Sequence, residues 1–295
     1  MKKLHSDRIL FSTIGYFVIC IVALLCVIPF IMVISGSFTA ESAIYKYGYG
    51  LFPSVFSLEA YRLVFKSPQS ILYAYLVSIG VTVVGTLTSL FLTAMTGYVL
   101  QKKELRTRNF FSLYIYFTTL FSGGLVPWYI LMYRYLHMKD NFLGLILPLL
   151  FNVFFIIVTR SFMKSIPDAI TESAKIDGAG EFYIFIRIIL PLSKPALATI
   201  GMFIALNYWN DWYYAMLFIQ NDKMFPLQYF LYRLLSSIEF AKNVASRGAN
   251  IIVTDLPSES YKLAMTIVAI GPIVLLYPFL QKYFIKGLTI GAVKG

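Results

Sequence analysis

Six apolar runs of about 20 residues or more constrain this chain more strongly than any other feature of its sequence. A helix needs about 20 mostly apolar residues to cross the hydrocarbon core of a bilayer. The runs cover residues 13–35, 72–100, 110–133, 142–162, 196–219 and 262–284. We therefore predict an all-α, polytopic membrane protein in which residues 1–295 form a single transmembrane domain with six transmembrane helices.

The overall composition excludes the main soluble classes of protein. Hydrophobic residues make up 59% of the chain and charged residues 13%, whereas an average soluble domain is about 45–50% apolar and about 25% charged. A soluble enzyme, a disordered chain and a secreted disulfide scaffold are therefore all excluded. Cys20 and Cys26 both lie in the first apolar run, and their spacing fits neither a disulfide framework nor a metal site.

The first and third runs each allow a second interpretation. The first follows a basic N-terminus and ends in small residues, as a secretory signal peptide does, but it exceeds the roughly 7–15 apolar residues of such a signal. We therefore predict a spanning helix there. The third run is interrupted by Gly123, Gly124 and Pro127, which predicts a broken helix that lines a cavity.

The distribution of basic residues predicts the orientation of the spans. The net charge is +11, and 15 of the 25 Lys and Arg residues lie on the side that holds both chain ends. Cytoplasmic segments are richer in Lys and Arg than external ones. We therefore expect a multi-pass protein of the cell membrane with both termini in the cytoplasm, and a nucleic-acid partner is not needed to explain the charge.

The chain lacks the residue patterns of a catalyst. It has two histidines, His5 and His137, and neither lies near a group of carboxylates. The sequence shows no zinc-protease, serine-hydrolase or phosphate-loop motif. We predict no catalytic residue, no metal site and no cofactor in this chain. Asp211 is the one acidic residue within a run, which gives an ion-coupled transporter little support.

The segment 165–191, which joins the fourth and fifth runs on the predicted cytoplasmic side, has the pattern of two short helices. Ser165 or Asp168 is expected to cap the first helix, which Gly178 ends. Ile170, Ala174 and Ile176 are expected to form a small apolar surface, beside Glu172. Such a segment either lies on the lipid headgroups or docks into a groove of a protein partner.

The spacing of residues in this segment resembles the EAA loop of ABC-importer permeases. The match runs from Glu172-x-Ala174-x-x-x-Gly178 to Ile188-x-Leu190-Pro191, with Ser173 in place of the usual second alanine. Asp177-Gly178-Ala179 is similar to the extended form found in sugar permeases. The resemblance implies that a coupling loop, 165–191, contacts an ATPase through Glu172, Ser173, Ala174, Asp177, Gly178, Ala179, Leu190 and Pro191.

Other segments support the same resemblance. Trp209-Asn210-Asp211 and the C-terminal tail 286–295 are similar to segments of MalG-type permeases, and Ser122–Pro127 resembles the LplC-type branch that serves oligosaccharides from polysaccharides. The resemblance implies the MalG/MetI-like ABC permease fold. It also implies a heterodimer with a MalF-like permease, two ATPase subunits that bind ATP and magnesium, and an extracytoplasmic solute-binding protein. Oligosaccharides would then move inward by alternating access.

The resemblance also assigns roles to the tail and to the outer loop 220–261. The tail would enter the ATPase interface, with Thr289, Gly291, Lys294 and Gly295 in contact, although a frayed terminus is the simpler interpretation. The outer loop would contact the binding protein, or it packs on the mouth of the helix bundle.

Polar and aromatic residues within the runs are candidates for the solute path, because sugars offer both hydroxyls and CH faces. They are Asn152, Asn207, Trp209, Asn210 and Asp211. Each could equally form a hydrogen bond between helices. Three other functions remain open: an ABC permease for a different polar solute, an ion-coupled secondary transporter and a membrane-embedded enzyme.

Overall fold

The computed structural model describes residues 2–66, 68–246 and 259–292, with side chains for 11–66, 68–240, 243 and 259–275. Helices dominate these ranges, and the prediction of an all-α chain is confirmed. The helices are α1 (Lys2–Ser37), α2 (Glu41–Tyr47), α3 (Glu59–Val64), α4 (Pro68–Gln101), α5 (Arg108–Leu120), α6 (Leu125–Ile130), α7 (Phe142–Ile146), α8 (Val153–Met163), α9 (Asp168–Ile176), α10 (Glu181–Ile184), α11 (Leu190–Leu192), α12 (Lys194–Trp209), α13 (Tyr213–Phe218), α14 (Leu227–Ser246) and α15 (Glu259–Ala292). Short 3-10 or π segments cover Leu131–Tyr135, Leu147–Leu149, Phe185–Ile189 and Asp222–Met224.

Two helices in the described ranges are each long and apolar enough to cross a membrane by themselves. They are Phe11–Ser37 within α1, and α4. Most of the apolar side chains of α1 are exposed in this chain, as expected of a helix that faces lipid. The sixth apolar run lies within α15, which is 34 residues long.

Three further spans are possible only as pairs of bent segments. The third run is broken between α5 and α6, which meet at 111°, so the predicted break is confirmed. The fourth run bends by 55° at 150–152. The third bent pair joins Glu181–Leu192 to Lys194–Trp209 at 84°, just before the fifth run begins. The fifth run is also interrupted at 210–212, between α12 and α13. Both runs are predicted from the sequence as continuous spans, and the structure differs at these points. The exact number of six transmembrane helices stays a prediction.

The breaks in the fourth and fifth runs have local causes. The side-chain oxygen of Asn152 accepts a hydrogen bond from the backbone N–H of Phe154 at 3.0 Å, which starts α8. A carboxylate oxygen of Asp211 accepts one from the N–H of Tyr214 at 3.4 Å, at the start of α13. In both cases a short polar side chain satisfies a free N–H and begins a new helix.

The described residues fall into two compact units. The first unit comprises Met1–Pro68 and Arg233–Pro272, and the second comprises Gln69–Tyr232 and Ile273–Gly295. The prediction of one transmembrane domain over the whole chain stays a prediction.

In the first unit, the start of α15 is held by close packing against α1 and is capped by Glu41, a residue far away in the sequence. A side chain at Gly36 would lie 2.4 Å from the Cδ1 atom of Leu263, so glycine allows α1 and α15 to touch. The Glu41 carboxylate accepts hydrogen bonds from the backbone N–H groups of Glu259 and Ser260, both at 2.9 Å. A carboxylate at this helix end also complements the helix dipole.

In the second unit, α4 contributes to two separate apolar clusters. Two glycines let α4 lie close to α12 and α8. A Cβ atom at Gly85 would lie 2.6 Å from the Tyr208 ring of α12, and one at Gly97 would lie 3.1 Å from the backbone nitrogen of Arg160 in α8. The larger cluster contains Val81, Met132, Leu145, Ile146, Phe155, Ile200, Ile204, Tyr208, Ala215, Phe218, Ile219, Phe225 and Tyr229. The smaller cluster contains Ala94, Tyr98, Met163, Ala174, Ile184, Phe185, Ile189 and Leu197.

Candidate functional site

The first helix of the 165–191 segment begins without the side-chain cap that the sequence suggested. Helix α9 starts at Asp168 with Pro167 in the N-cap position, and no side chain bonds to its free N–H groups. The Ser165 hydroxyl instead donates to the Phe162 carbonyl at 2.7 Å. The pyrrolidine ring fixes the φ of Pro167, and this directs the chain into the helix although no side chain caps it.

The same helix ends in a well-formed Schellman motif. Gly178 has φ +81°, a conformation that glycine adopts without strain. Its N–H donates to the Lys175 carbonyl at 3.0 Å, and the N–H of Ala179 donates to the Ala174 carbonyl at 2.9 Å. Ala179 also packs against the smaller apolar cluster, of which Ala174 is part. The Asp177-Gly178-Ala179 sequence thus has a structural reason, which is to stop α9 sharply.

The two faces of α9 have different surroundings. Ala174 is buried in the smaller apolar cluster, whereas Ile176 is 87% exposed. Glu172, Ser173 and Asp177 are exposed as well. The single apolar surface expected to contain both Ala174 and Ile176 is therefore wrong, because residues two apart on a helix point in different directions. One face binds the rest of the chain, and the other is open.

The far end of the segment contains a π turn. The backbone over Phe185–Ile189 is a π-helix, and α11 follows with Leu190 half-buried and Pro191 exposed. A proline inside a helix removes one hydrogen bond and crowds the preceding turn. The wider π turn directly before Pro191 accommodates this proline.

A cluster of charged side chains joins α9 and α10 to the turn 102–104 that follows α4. Lys103 Nζ lies 2.6 Å from an oxygen of Asp168 at the start of α9. Lys175 Nζ, in the last turn of α9, lies 2.8 Å from Glu104. The 165–191 segment is therefore held to this turn near both ends of α9.

Glu181, the first residue of α10, is the centre of this cluster. Its Oε2 atom accepts from Lys102 Nζ at 2.5 Å and from the Tyr98 hydroxyl at 2.9 Å. Its Oε1 atom lies 3.0 Å from Lys175 Nζ. Burial raises its pKa, but the hydrogen bonds from Lys102, Lys175 and Tyr98 outweigh this and lower the pKa of Glu181 to about 2.

The other charges of the cluster shift in the direction that ion pairing predicts. Hydrogen bonds to Glu104 and Glu181 raise the pKa of Lys175, and the bond from Lys175 lowers the pKa of Glu104. The cluster was not predicted from the sequence, because the basic residues that follow the second run, Lys102 and Lys103 among them, are explained by membrane topology alone. One signal in the sequence pointed to it. On the predicted cytoplasmic side, the loop 102–108 is net basic, whereas the segment 165–191 is net acidic.

The predicted solute-path residues do not share one environment. Asn152 caps α8 with its side-chain oxygen, and Trp209 is buried. Within the part of the chain that the structure describes, the Trp209 indole nitrogen has no hydrogen-bond partner. Asn207 and Asn210 are exposed, and Asp211 is half-buried at the break before α13. A path role for these five residues stays a prediction.

A cleft of about 510 Å³ lies where the break in the third run meets the break in the fifth. Its aromatic walls are Trp128, Tyr213 and Tyr214, and the rings of Trp128 and Tyr214 are 5.4 Å apart. Among the described residues, neither tyrosine hydroxyl has a hydrogen-bond partner. Gly123 and Gly124 form part of the rim, as expected of a broken helix that lines a cavity.

A second polar junction in this unit joins Asp140 to the residues that follow α13. One carboxylate oxygen of Asp140 accepts from the backbone N–H groups of Gln220 and Asn221 at 2.6 and 2.8 Å. The N–H of Asp140 donates to the Phe218 carbonyl at 2.9 Å. The hydrogen bond from the backbone N–H of Asn221 lowers the pKa of Asp140 most, and the bond from the N–H of Gln220 lowers it further.

Part of the predicted ATPase-contacting tail lies outside the described residues. Thr289 and Gly291 lie within α15, where only the backbone is described, and Lys294 and Gly295 lie beyond it. Their proposed contacts stay predictions, as does the absence of a catalytic residue, metal or cofactor.

No family model matches the chain, but individual relatives match it over nearly its full length. It is 38% identical to the polygalacturonan/rhamnogalacturonan transport system permease protein YtcP of Bacillus subtilis, over 97% of this chain and 99% of the relative. It is 40% identical to Protein LplC of the same organism, over 93% and 91% of the two chains. A chain from the crystal structure of a bacterial ABC transporter involved in the import of the acidic polysaccharide alginate superposes with a TM-score of 0.80 and 31% identity, over 95% of this chain and 98% of that one.

The helical fold, the glycine-terminated helix α9 and these similarities together define a permease of the ABC-transporter class. The chain belongs to the MalG-like permease subunits of carbohydrate ABC importers, and the resemblance inferred from the EAA loop is confirmed.

Proposed function

We propose that this chain is one of two permease subunits in an ATP-driven importer that moves oligosaccharides inward by alternating access. Its partners would be a MalF-like permease, two ATPase subunits that bind ATP and magnesium, and an extracytoplasmic binding protein. Relatives named for polygalacturonan, rhamnogalacturonan and arabinooligosaccharide transport support an oligosaccharide as the cargo.

The observation that carries this proposal is the open face of α9. Ile176 is 87% exposed and lies beside Glu172 and Asp177, while the opposite face of the helix is fixed to its own chain. Protein interfaces have an apolar centre and a polar rim, and Ile176 with its polar neighbours has this arrangement on the part of the segment that resembles the EAA loop. We infer that this face docks into the ATPase and that the tail 286–295 adds contacts through Thr289, Gly291, Lys294 and Gly295.

The solute path is proposed to pass the breaks in the third and fifth runs. Irregular backbone within a membrane is tolerated where it lines a cavity or is covered by protein. The cleft walled by Trp128, Tyr213 and Tyr214 offers aromatic faces and free hydroxyls to a sugar. Asn152, Asn207, Trp209, Asn210 and Asp211 remain the candidate path residues, and both termini are proposed to be cytoplasmic.

Reconstitution tests the proposal directly. The complex is purified through a tag on this chain, placed in proteoliposomes and offered oligosaccharides of galacturonic acid, arabinose or alginate together with its binding protein. We expect uptake of one class that requires ATP at the ATPase side. Uptake that persists without the ATPase and is abolished by Asp211→Asn would instead establish an ion-coupled transporter, and ATP-dependent uptake of a different polar solute would change the cargo.

A substitution on the open face tests the docking step. Ile176→Asp places a charge at the centre of the proposed contact, so the ATPase subunits should be lost from the purified complex. Ile176→Val keeps the apolar character and serves as the matched control. Full retention of the ATPase by the aspartate variant would contradict docking through this face.

A further inference from the structure

We propose that α9 transmits movement to α4 as well as to α12, and that Glu181 is the positioning residue that joins α9 and α10 to the turn 102–104. This inference rests on the proposed coupling to an ATPase. Chain connectivity alone gives one route, from α9 through α10 and α11 into α12. The contacts of the charged cluster add a second route, into the helix that precedes the turn.

The two ends of α9 are tied to the same turn at separate points. Asp168 at the first position of α9 pairs with Lys103, and Lys175 near its last position pairs with Glu104. Seven residues of α-helix separate these points by about 10 Å. One tie would allow the helix to pivot, whereas two separated ties fix its direction as well as its position.

Glu181 connects three parts of the chain through one carboxylate. Its partners are Tyr98 on α4, Lys102 directly after α4 and Lys175 on α9. Tyr98 is buried, and the Lys102 side chain is only 14% exposed. Removal of the carboxylate would take away the shared acceptor of Tyr98, Lys102 and Lys175, and with it the direct link between α4, the turn and α9.

An apolar contact beneath the charged groups stiffens the junction. Ala174 of α9 and Ala94 of α4 belong to the same buried cluster as Tyr98 and Phe185. The rings of Tyr98 and Phe185 lie 5.3 Å apart in a stacked arrangement. A force that pulls α9 is therefore applied to a packed surface of α4 and is not carried by surface charges alone.

Cross-linking tests whether α9 and the turn move as one body. Lys103→Cys and Asp168→Cys are introduced into a chain that carries Cys20→Ser and Cys26→Ser, and the pair is joined by a reducible bis-methanethiosulfonate reagent. We expect the joined complex to import oligosaccharides at least as fast as the same complex after reduction, because the cross-link replaces the ion pair that the substitutions remove. Loss of import on joining, with recovery on reduction, would show that the two segments separate and would overturn the proposal.

Substitution of Glu181 tests its positioning role through the number of sugars imported per ATP hydrolysed. We expect Glu181→Ala to lower this ratio by about fivefold or more, the usual scale of coupling between sites. Glu181→Gln keeps an acceptor oxygen for Tyr98 and should lose less. An unchanged ratio in the alanine variant would overturn the inference.

A charge exchange keeps the proposal testable if Glu181→Ala does not assemble. Lys103→Asp and Asp168→Lys each place like charges opposite one another, and the double variant restores the pair in reverse. We expect both single variants to lower sugar import per ATP and the double variant to recover it. A double variant no better than either single would contradict the second route. Absence of ATP-dependent import in the unaltered complex would instead refute the proposed function itself.

Discussion

The two polar junctions of the second unit are built from different chemical groups. At the junction of turn 102–104 with α9 and α10, long lysine side chains meet carboxylates. At the Asp140 junction, a single short carboxylate holds two backbone N–H groups at 2.6 and 2.8 Å. A lysine has four rotatable side-chain bonds, whereas a backbone N–H moves only with the chain itself.

This difference indicates two mechanical roles. Hydrogen bonds from backbone N–H groups fix the loop at Asp140 to the end of α13 with little freedom. The lysine side chains of the other junction can adjust and keep their ion pairs during movement, while the buried contact of Ala174 with Ala94 and Tyr98 keeps α9 and α4 together. We therefore expect the Asp140 junction to contribute mainly to stability and the Glu181 junction mainly to coupling.

The largest effect is expected at the end of α9. Gly178→Asp introduces a charged side chain beside the proposed ATPase contact. Residue 178 has a φ of +81°, and a non-glycine residue in this conformation is destabilised by about 1–2 kcal/mol. Sugar-stimulated ATP hydrolysis should be abolished while the permease stays folded. Gly178→Asn has the same size without the charge and should retain part of the activity. Sugar-stimulated hydrolysis at the unaltered rate in the aspartate variant would refute the role of α9 as a lever.

The next effect concerns stability at Asp140. Asp140→Ala removes two charge-assisted hydrogen bonds and forces alanine to adopt φ +48°, so we expect a loss of about 2–3 kcal/mol in the free energy of unfolding. Asp140→Asn keeps an acceptor and tolerates this φ, and its loss should be smaller. Thermal unfolding of the purified complex measures both. Sugar import per ATP in the assembled alanine variant should stay unchanged, and a fall in it would remove the distinction between the junctions.

A smaller stability effect is expected at Glu181. Its side chain is 55% exposed, so solvent screening limits the loss in Glu181→Ala to about 1 kcal/mol despite its three partners. Thermal unfolding of Glu181→Ala and Asp140→Ala under the same conditions shows which variant loses more stability. If Glu181→Ala destabilised the protein more than Asp140→Ala did, the charged cluster would be the main structural joint.

The smallest effect is the dependence of these contacts on pH and salt. The pKa of Glu181 falls from 4.5 to about 2 on folding, so its stabilisation is present above pH 4.5 and is lost as the pH falls towards 2. The difference in Tm between the unaltered chain and Glu181→Gln should therefore be constant from about pH 5 to 7 and shrink below about pH 4.5.

Salt separates the two junctions in the same experiment. About 1 M salt should weaken the lysine pairs by screening but leave the Asp140 hydrogen bonds nearly unchanged. An equal response of Glu181→Gln and Asp140→Asn to salt would contradict the division into ion pairs and backbone bonds.

Much of the fold and of the coupling segment could be predicted from residues close together in sequence. The long apolar runs predict helices, and Gly123, Gly124 and Pro127 predict the break that the structure shows. Gly178 predicts the end of α9, because its left-handed φ is a local property of the chain. The breaks at Asn152 and Asp211 were not predicted, since a single polar residue within an apolar run is as compatible with a continuous helix.

What the sequence determined by itself is the class of the protein, its helical content and the position of the coupling segment. Each depends on a period or a spacing that spans at most a few turns of helix. The tertiary structure alone decided that Ala174 faces inward, that Ile176 is left open, and that Lys175 pairs with Glu104, which is 71 residues away. No local pattern specifies such a pair, because an ion pair needs only opposite charges and a distance, and folding sets the distance.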